Sequence, residues 1–513
     1  MSSATVPVAP AAPSSAPAPA GRWSRWSDRL NPILVREVQQ AVKGRVFATT
    51  VLAALAVTVA IAASVVSHYE PSGRAGRDAF HAGFATLMPL LLFVVPMQAY
   101  QSMRLELRSG IVEQLLLSKL RPMHILLGKL QAAMVQFVLY VAVLSPLLGT
   151  SYLLRGVDVP TIAVSVAFAA VGCLCATSFA VSSAAQAVLP GLQPIANLAS
   201  AFGLGMAAFG FVGFIGSGEY SNAVGWLLRS DECWAVLSAM GLLALASCTL
   251  AMLAARSFLL HQFENKATPF RVFLFVLPPV AYGWMLAFVP PAEQAMAMPL
   301  LTCGLLLVGA VFGVFMVTEQ RELSPRLRAH APAGLAGVLA APFLPGRDRG
   351  TACFTIYALA LTLVGWLGWP RGSGSLFGMA EPVAEFALMA LAYTFVYLGL
   401  GRWLRSRLPP TLQGNHLARF LLPVALFLFI LVPVLIDVFA HGEMRSWHPG
   451  HLMNPFVTID AFVLSSQRWD LAWPMLQIVL PVVVALQVPA IWRGVREVLV
   501  AGAARRRAQA SDG

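Results

Sequence analysis

Long apolar runs, each broken by a short polar segment, recur along the whole chain. A bilayer core of about 30 Å is crossed by a helix of about 20 mostly apolar residues. On that rule the pattern predicts twelve spans, at 46–66, 80–101, 123–149, 160–185, 194–216, 233–255, 271–289, 296–317, 351–369, 384–401, 419–438 and 472–492. The fold class this predicts is an all-α polytopic membrane protein. Between the fourth and fifth spans the break, QAVLPGLQP (186–194), carries no charge.

Composition agrees: 58% of the 513 residues are hydrophobic, 11% are charged, and mean hydropathy is +0.73. A soluble globular chain is excluded. The formal charge of +12 would point to nucleic acid in a soluble protein, but here its distribution matters more than its sum. An even number of spans puts both ends on one side, and 28 of the 35 Lys and Arg then share that side, against 7 on the other. The positive-inside rule therefore places both termini in the cytoplasm; the expected location is the plasma membrane (bacterial inner membrane). If 186–194 were only a kink, the second half would invert and carry its basic loops outside, so it is taken as a real break.

The first residues, rich in Ala, Pro and Ser, form no signal peptide, and 1–28 is expected to be a disordered cytoplasmic tail. Residues 501–513 form a basic tail on the same side. Of six cysteines, Cys173, Cys175, Cys248, Cys303 and Cys353 fall in or at the end of apolar segments, with no disulfide framework or CxxC pattern.

Nearly all of the 23 acidic residues map to loops or span ends; only Glu385 and Asp437 fall within predicted spans, each near an end. Ion-coupled carriers place an ionisable group near mid-membrane, and none is evident. The chain also lacks GxxxxGK[ST], so it does not hydrolyse ATP by that route. If it is a pump, its energy comes from another chain.

Two polar segments are more than connections. Residues 104–122, RLELRSGIVEQLLLSKLRP, place Ile111, Val112, Leu115, Leu116 and Leu120 at helical spacing, with Glu113, Gln114 and Ser118 opposite. The spacing predicts a short cytoplasmic amphipathic helix, which either lies along the headgroups or docks into a partner's cleft. Its candidate partner-coupling residues are Arg104, Glu106, Arg108, Glu113, Lys119 and Arg121. Residues 31–45 form a second such element, with Ile33, Val38 and Val42 as an apolar stripe beside Arg36, Glu37, Lys43 and Arg45.

NPILVREVQQAVKGRVF, followed by a span and then by MRLELRSGIVEQLLLSKLRPMHILLGKLQAAMVQFVLYVAVLSPLLG, resembles the membrane subunit of a type 2 ATP-binding cassette (ABC) transporter. The resemblance covers roughly the first 260 residues. It implies an interfacial helix (31–45, with Arg36 and Glu37), a coupling helix (104–122) and a six-span permease domain (29–260), with Lys129 closing a GK pair. It further implies transport, with export the expected direction, driven by a separate cytoplasmic ATPase subunit. ATP and Mg would be held by that partner, no cofactor by this chain, and the chain would not be an enzyme by itself. Expected partners are this ATPase and membrane lipid, without nucleic acid.

Residues 261–500 depart from the pattern by adding a second six-span region, either a diverged repeat or an extension. EQRELSP (319–325) sits after span eight where RLELRSG sits after span two, which leaves open an intramolecular pseudo-dimer as well as a homodimer. A twelve-span secondary carrier and an integral membrane transferase are the alternatives.

Three further features have competing readings. The outer loop HGEMRSWHPGH (441–451) holds a metal-compatible set in His441, His448 and His451 with Glu443, against an ordinary polar loop, which is preferred because no helix fixes the spacing. Gly203, Gly205, Gly210, Gly213 and Gly216 in span five mark either a translocation seam or tight helix packing, and packing is the expectation. GRDRG (346–350) is a fragment of a carrier-like loop or, preferably, a charged turn on the cytoplasmic side.

Overall fold

A computed structural model describes residues 31–67, 74–117, 120–186, 193–260, 264–320, 322–367, 382–409, 412–441, 448–459, 461 and 469–511. The expected tail 1–28 lies outside them. The described residues are helical with no strand, and ten helices are long and apolar enough to cross a membrane. The chain is thus a multi-pass, all-α membrane protein. The other two predicted spans coincide with helices Arg347–Leu367 and Pro382–Arg407, which flank residues outside the described set. The chain divides into two compact units, 1–230 and 231–513, with the helix Cys233–Leu259 in the second.

In unit 1, α1 (Pro32–Lys43) lies ahead of α2 (Arg45–Ser67). Next come α3 (Arg74–Pro89) and α4 (Val95–Arg108), joined through a π-helical turn at Leu90–Val94 into one long element. Pro89 and Pro96 bracket that turn. A proline cannot donate to the carbonyl four residues back and collides with it, and a π-turn is one way for a helix to absorb this. The α3–α4 element is the hub: it packs against α2, α6 (Pro122–Leu153), α7 (Val159–Ala185) and α8 (Gln193–Gly216). Its Phe80, Phe84, Leu87, Met88, Leu91 and Val95 meet Tyr140 and Leu144 of α6 and Cys173 of α7 in one core.

The polar stretch after span five folds into α9 (Glu219–Arg229), whose buried Tyr220 stacks on Phe84 and meets Phe211 and Phe214 edge-on. Among the described residues, four of the five glycines singled out in α8 do not mark tight packing. A Cβ at Gly203, Gly210, Gly213 or Gly216 would meet nothing within 4 Å.

The expected single helix over 104–122 is two pieces. α4 stops at Arg108, Gly110 takes a left-handed φ of +71°, and α5 (Ile111–Leu117) starts in a new direction.

Unit 2 begins with α10 (Cys233–Leu259), α11 (Thr268–Phe288) and α12 (Pro291–Val317). Two short helices follow, α13 (Pro325–Ala329) and α14 (Leu335–Ala340), then α15 (Arg347–Leu367), α16 (Pro382–Arg407) and α17 (Leu412–His441). The unit closes with α18 (Pro455–Ile459), α19 (Trp469–Ala485) and α20 (Val488–Ser511). Its third long helix is the hub: α12 packs against α11, α15, α16 and α17. Phe312 and Met316 of α12 join Leu274, Tyr282, Phe354, Tyr357 and Phe395 in the core. The basic tail expected over 501–513 is the end of α20, which earlier along its length packs on α13, α14 and α15.

Large apolar side chains such as Leu52, Val59, Phe202, Phe209, Leu243, Leu307 and Phe439 are exposed around these bundles, as lipid-facing residues are. At the end of unit 1 away from α1, the backbones of Gly76 and Gly156 touch, and a Cβ on Gly156 would lie 2.1 Å from Arg77 N. Gly156→Ala is therefore expected to destabilise unit 1 by about 1–3 kcal/mol, the usual cost of overpacking. Thermal unfolding of the detergent-purified protein should show a lowered midpoint, whereas an unchanged midpoint would contradict this contact.

Candidate functional site

The NPILVRE and LLGK sequences, far apart in the chain, fold onto one another. Asn31 caps α1: its Oδ1 accepts from Ile33 N at 3.1 Å, and its Nδ2 donates to the His124 carbonyl at 2.8 Å, tying the cap to the first turn of α6. Pro32 starts the helix, where a missing N–H costs nothing. Gly128 is the point of contact on α6, since a Cβ there would sit 2.9 Å from Ile33 Cβ and 3.0 Å from Asn31 Nδ2. Only a residue without a side chain lets α1 lie this close.

One residue further on, Lys129 is 1% exposed and reaches both glutamates of the opposing segments. Its Nζ lies 2.8 Å from Glu37 Oε1 on α1 and 2.9 Å from Glu106 Oε2 on α4. Ser102 joins them, accepting from Lys129 at 2.7 Å and donating to Glu37 Oε2 at 2.9 Å. Arg36 closes the group, pairing with Glu106 and lying 3.1 Å from Glu37 Oε1. Two acids and two bases leave the cluster neutral, the condition under which buried charges are tolerated. The cluster joins α1, the end of α4 and the start of α6, all segments that the distribution of Lys and Arg assigns to the cytoplasmic side.

The predicted coupling residues separate into distinct environments. Glu106 is buried inside the cluster, and Arg104 reaches Asn197 of α8 at 3.4 Å. Arg108, Glu113 and Arg121 are exposed, and Lys119 lies outside the described residues. On α5, Val112 is buried while Leu117 is 85% exposed, so this short helix presents both an apolar and an acidic residue outward. Arg36, Glu37 and Glu106 had been singled out from the sequence, whereas Lys129 had appeared only as the end of a GK pair, and Ser102 gave no signal at all.

Unit 2 contains a comparable group. Arg271 at the start of α11, 1% exposed, pairs with Glu319 at 2.8 Å, just beyond the end of the hub α12. Arg271 also donates to the carbonyls of Pro342 at 2.9 Å and of Leu344, and Glu319 accepts from Gly346 N at 2.6 Å. Arg349 at the start of α15 pairs with Glu497 of α20 at 2.6 Å, and Glu497 also accepts from Leu323 N at 3.1 Å. GRDRG is thus a charged turn opening α15, held by paired side chains.

A third group lies near the other end of α17. Asp437, 1% exposed, accepts from both histidines of the following segment, His448 Nε2 at 3.0 Å from Oδ1 and His451 Nε2 at 2.8 Å from Oδ2. The carboxylate was missing from the set expected at 441–451: Asp437 replaces Glu443, which lies outside the described residues, as does the His441 side chain. The available signal was an acid within an otherwise apolar run, eleven residues before His448.

Bundles of lipid-length helices, cross-linked by buried charge at their ends, define this as a multi-pass membrane protein. No family model, curated protein or solved structure matches the chain.

Removing Lys129 leaves two buried carboxylates with one partly exposed arginine. Lys129→Met is expected to cost about 3–5 kcal/mol, the range for breaking a buried pair from one side. Combining it with Glu37→Gln and Glu106→Gln should recover part of that loss. Unfolding midpoints of the single and triple variants compare the two, and a triple variant less stable than the single would contradict the cluster's role.

Proposed function

We propose that this chain is the permease subunit of an ABC-type transporter, moving a substrate across the plasma membrane with energy from ATP hydrolysed by a separate cytoplasmic subunit. The observation that carries this reading is the convergence of Asn31, Glu37, Gly128 and Lys129 on one buried cluster. The motifs on which residues 31–260 resemble a type 2 ABC permease are thereby joined by direct contact, and not only by sequence order. Such a cluster makes α1, α4 and α6 move together, and α5 follows α4 after two residues. A push on α5 is then delivered to the hub and to the entry of span three together.

The exposed Leu117 and Glu113 of α5 are the surface offered to the ATPase, by the groove-docking mode in which a short helix presents apolar and charged positions at once. Glu106, by contrast, acts inside the protein, holding α1 to the hub. Unit 2 is proposed as the diverged second half of the permease. Like the hub of unit 1, α12 packs on the long helix before it and on the three long helices after it, and Glu319, just beyond its end, answers to Glu106 in the last turn of α4, with Arg271 as its buried partner.

The test is retrieval of the full chain from its own membranes together with a protein bearing a phosphate-binding loop. Glu113→Lys combined with Leu117→Asp is expected to abolish that association, because like charge and a buried carboxylate at an interface each cost several kcal/mol, while the variant's unfolding midpoint stays at the wild-type value. Retrieval unaffected by both changes overturns the assignment of α5. Transport that survives ATP depletion but collapses with an uncoupler overturns the class in favour of a secondary carrier.

A further inference from the structure

We infer that Asp437, His448 and His451 form a binding site for a divalent transition metal, Zn²⁺ by the chemistry of its ligands, at the end of α17 that the distribution of Lys and Arg assigns to the outside. The three donor atoms lie within 4.8 Å of one another. The two imidazoles face each other with ring centroids 4.4 Å apart, and both turn Nε2 onto the same carboxylate. Imidazole nitrogen and carboxylate oxygen bind Zn²⁺ at about 2.0–2.2 Å. Ligands of a four-coordinate ion at that distance lie about 3.3–3.5 Å apart, so the nitrogen-to-oxygen separations of 2.8 and 3.0 Å found here need widen by only a few tenths of an ångström to admit it.

Charge gives a second, independent reason. Asp437 is 1% exposed, and among the described residues no lysine or arginine pairs with it. A buried carboxylate facing two imidazoles lacks a cation, and an ion supplies it. His451 is completely buried, and its only side-chain hydrogen bond among the described residues is to that carboxylate. His448 is partly exposed, which leaves a path for the ion and an open fourth position for water, the arrangement of three protein ligands plus solvent.

Without the ion the cluster is a hydrogen-bonded clasp. Gly450 N–H donates to His448 Nδ1 at 3.1 Å, so the neutral ring carries its proton on Nε2 and gives it to Asp437. An ion taking that place on Nε2 moves the ring proton to Nδ1, and the Gly450 N–H must turn away. Metal entry thus rearranges the turn Pro449–His451. Its neighbours feel this, because the carbonyls of Leu452 and Met453 accept from Tyr393 and Tyr397 of α16 and Thr458 donates to the His451 carbonyl at 2.9 Å.

The experiment uses the full, untagged chain in detergent, stripped with a chelator, loaded with Zn²⁺ and passed over a desalting column before metal analysis. Co²⁺ titration serves as the spectroscopic probe. The wild type is expected to retain one equivalent of Zn²⁺ and to give the intense visible bands of four-coordinate Co²⁺. His448→Ala and Asp437→Asn should lose affinity by more than the about 10–100-fold that removal of an outer-shell partner costs. His448 is the partly exposed member, so its variant tests binding with the least disturbance of the fold, checked by the unfolding midpoint of the metal-free protein. A wild type that retains no Zn²⁺ and shows no such bands, or a His448→Ala protein that retains Zn²⁺ equally well, overturns the site and leaves a clasp of hydrogen bonds only.

Discussion

The end of unit 1 that carries α1 depends on one ammonium group. Lys129 is the single cation in contact with both Glu37 and Glu106 while being almost completely buried, and those glutamates belong to helices with no covalent reason to meet. Burial makes the arrangement intolerant: in water a missing partner is replaced by solvent, whereas here two buried carboxylates would be left to the partly exposed Arg36 alone. Gly128 next to it removes the steric obstacle, and Asn31 fixes the angle at which α1 arrives. Spacing, shape and charge at three consecutive points are set by two short sequences about ninety residues apart.

Unit 2 solves the same problem with different groups. A guanidinium replaces the ammonium, and Arg271 spends its donors on the carbonyls of Pro342 and Leu344 as well as on Glu319. Arginine's fixed fork of donors suits a site lined by backbone oxygens, where a lysine's compact charge suits two carboxylates and a hydroxyl. The consequence is a difference in what is held: in unit 1 long helices are joined to one another, while in unit 2 Leu323, Pro342, Leu344 and Gly346 of the connection between α12 and α15 are tied by side chains of α11 and α20 and by Glu319.

Much of the fold was legible because hydropathy is a one-dimensional signal and lipid demands complete helices. Where their residues are described the predicted spans fall on helices, the last of them (472–492) being divided between α19 and α20 at Leu486 and Gln487. Gly110 shows where this legibility ends: one helix was expected over 104–122 although the amphipathic spacing begins only at Ile111, and a single left-handed residue separates α4 from α5 there. Glu106 was recognised as charged and assigned to a surface, because periodicity cannot tell an acid facing water from one facing a buried lysine. The Asp437 cluster was half visible for a similar reason, since a side chain at the end of one helix and two in the next loop share no spacing rule. The glycines of α8 failed in the other direction, as small residues announce close approach without saying to what.

The π-turn at Leu90–Val94 carries a surplus residue through the middle of the hub. Each residue of an α-helix advances the azimuth by about 100°, so this one insertion re-aims the whole lower half of the element relative to its upper half. Above it, α3 turns toward α6 and α8; below it, α4 turns toward α7. Glu106 meets Lys129 only because that rotation has been made. The phase of the helix, set between two prolines in the apolar interior, thus decides which charges can find each other at the membrane's edge.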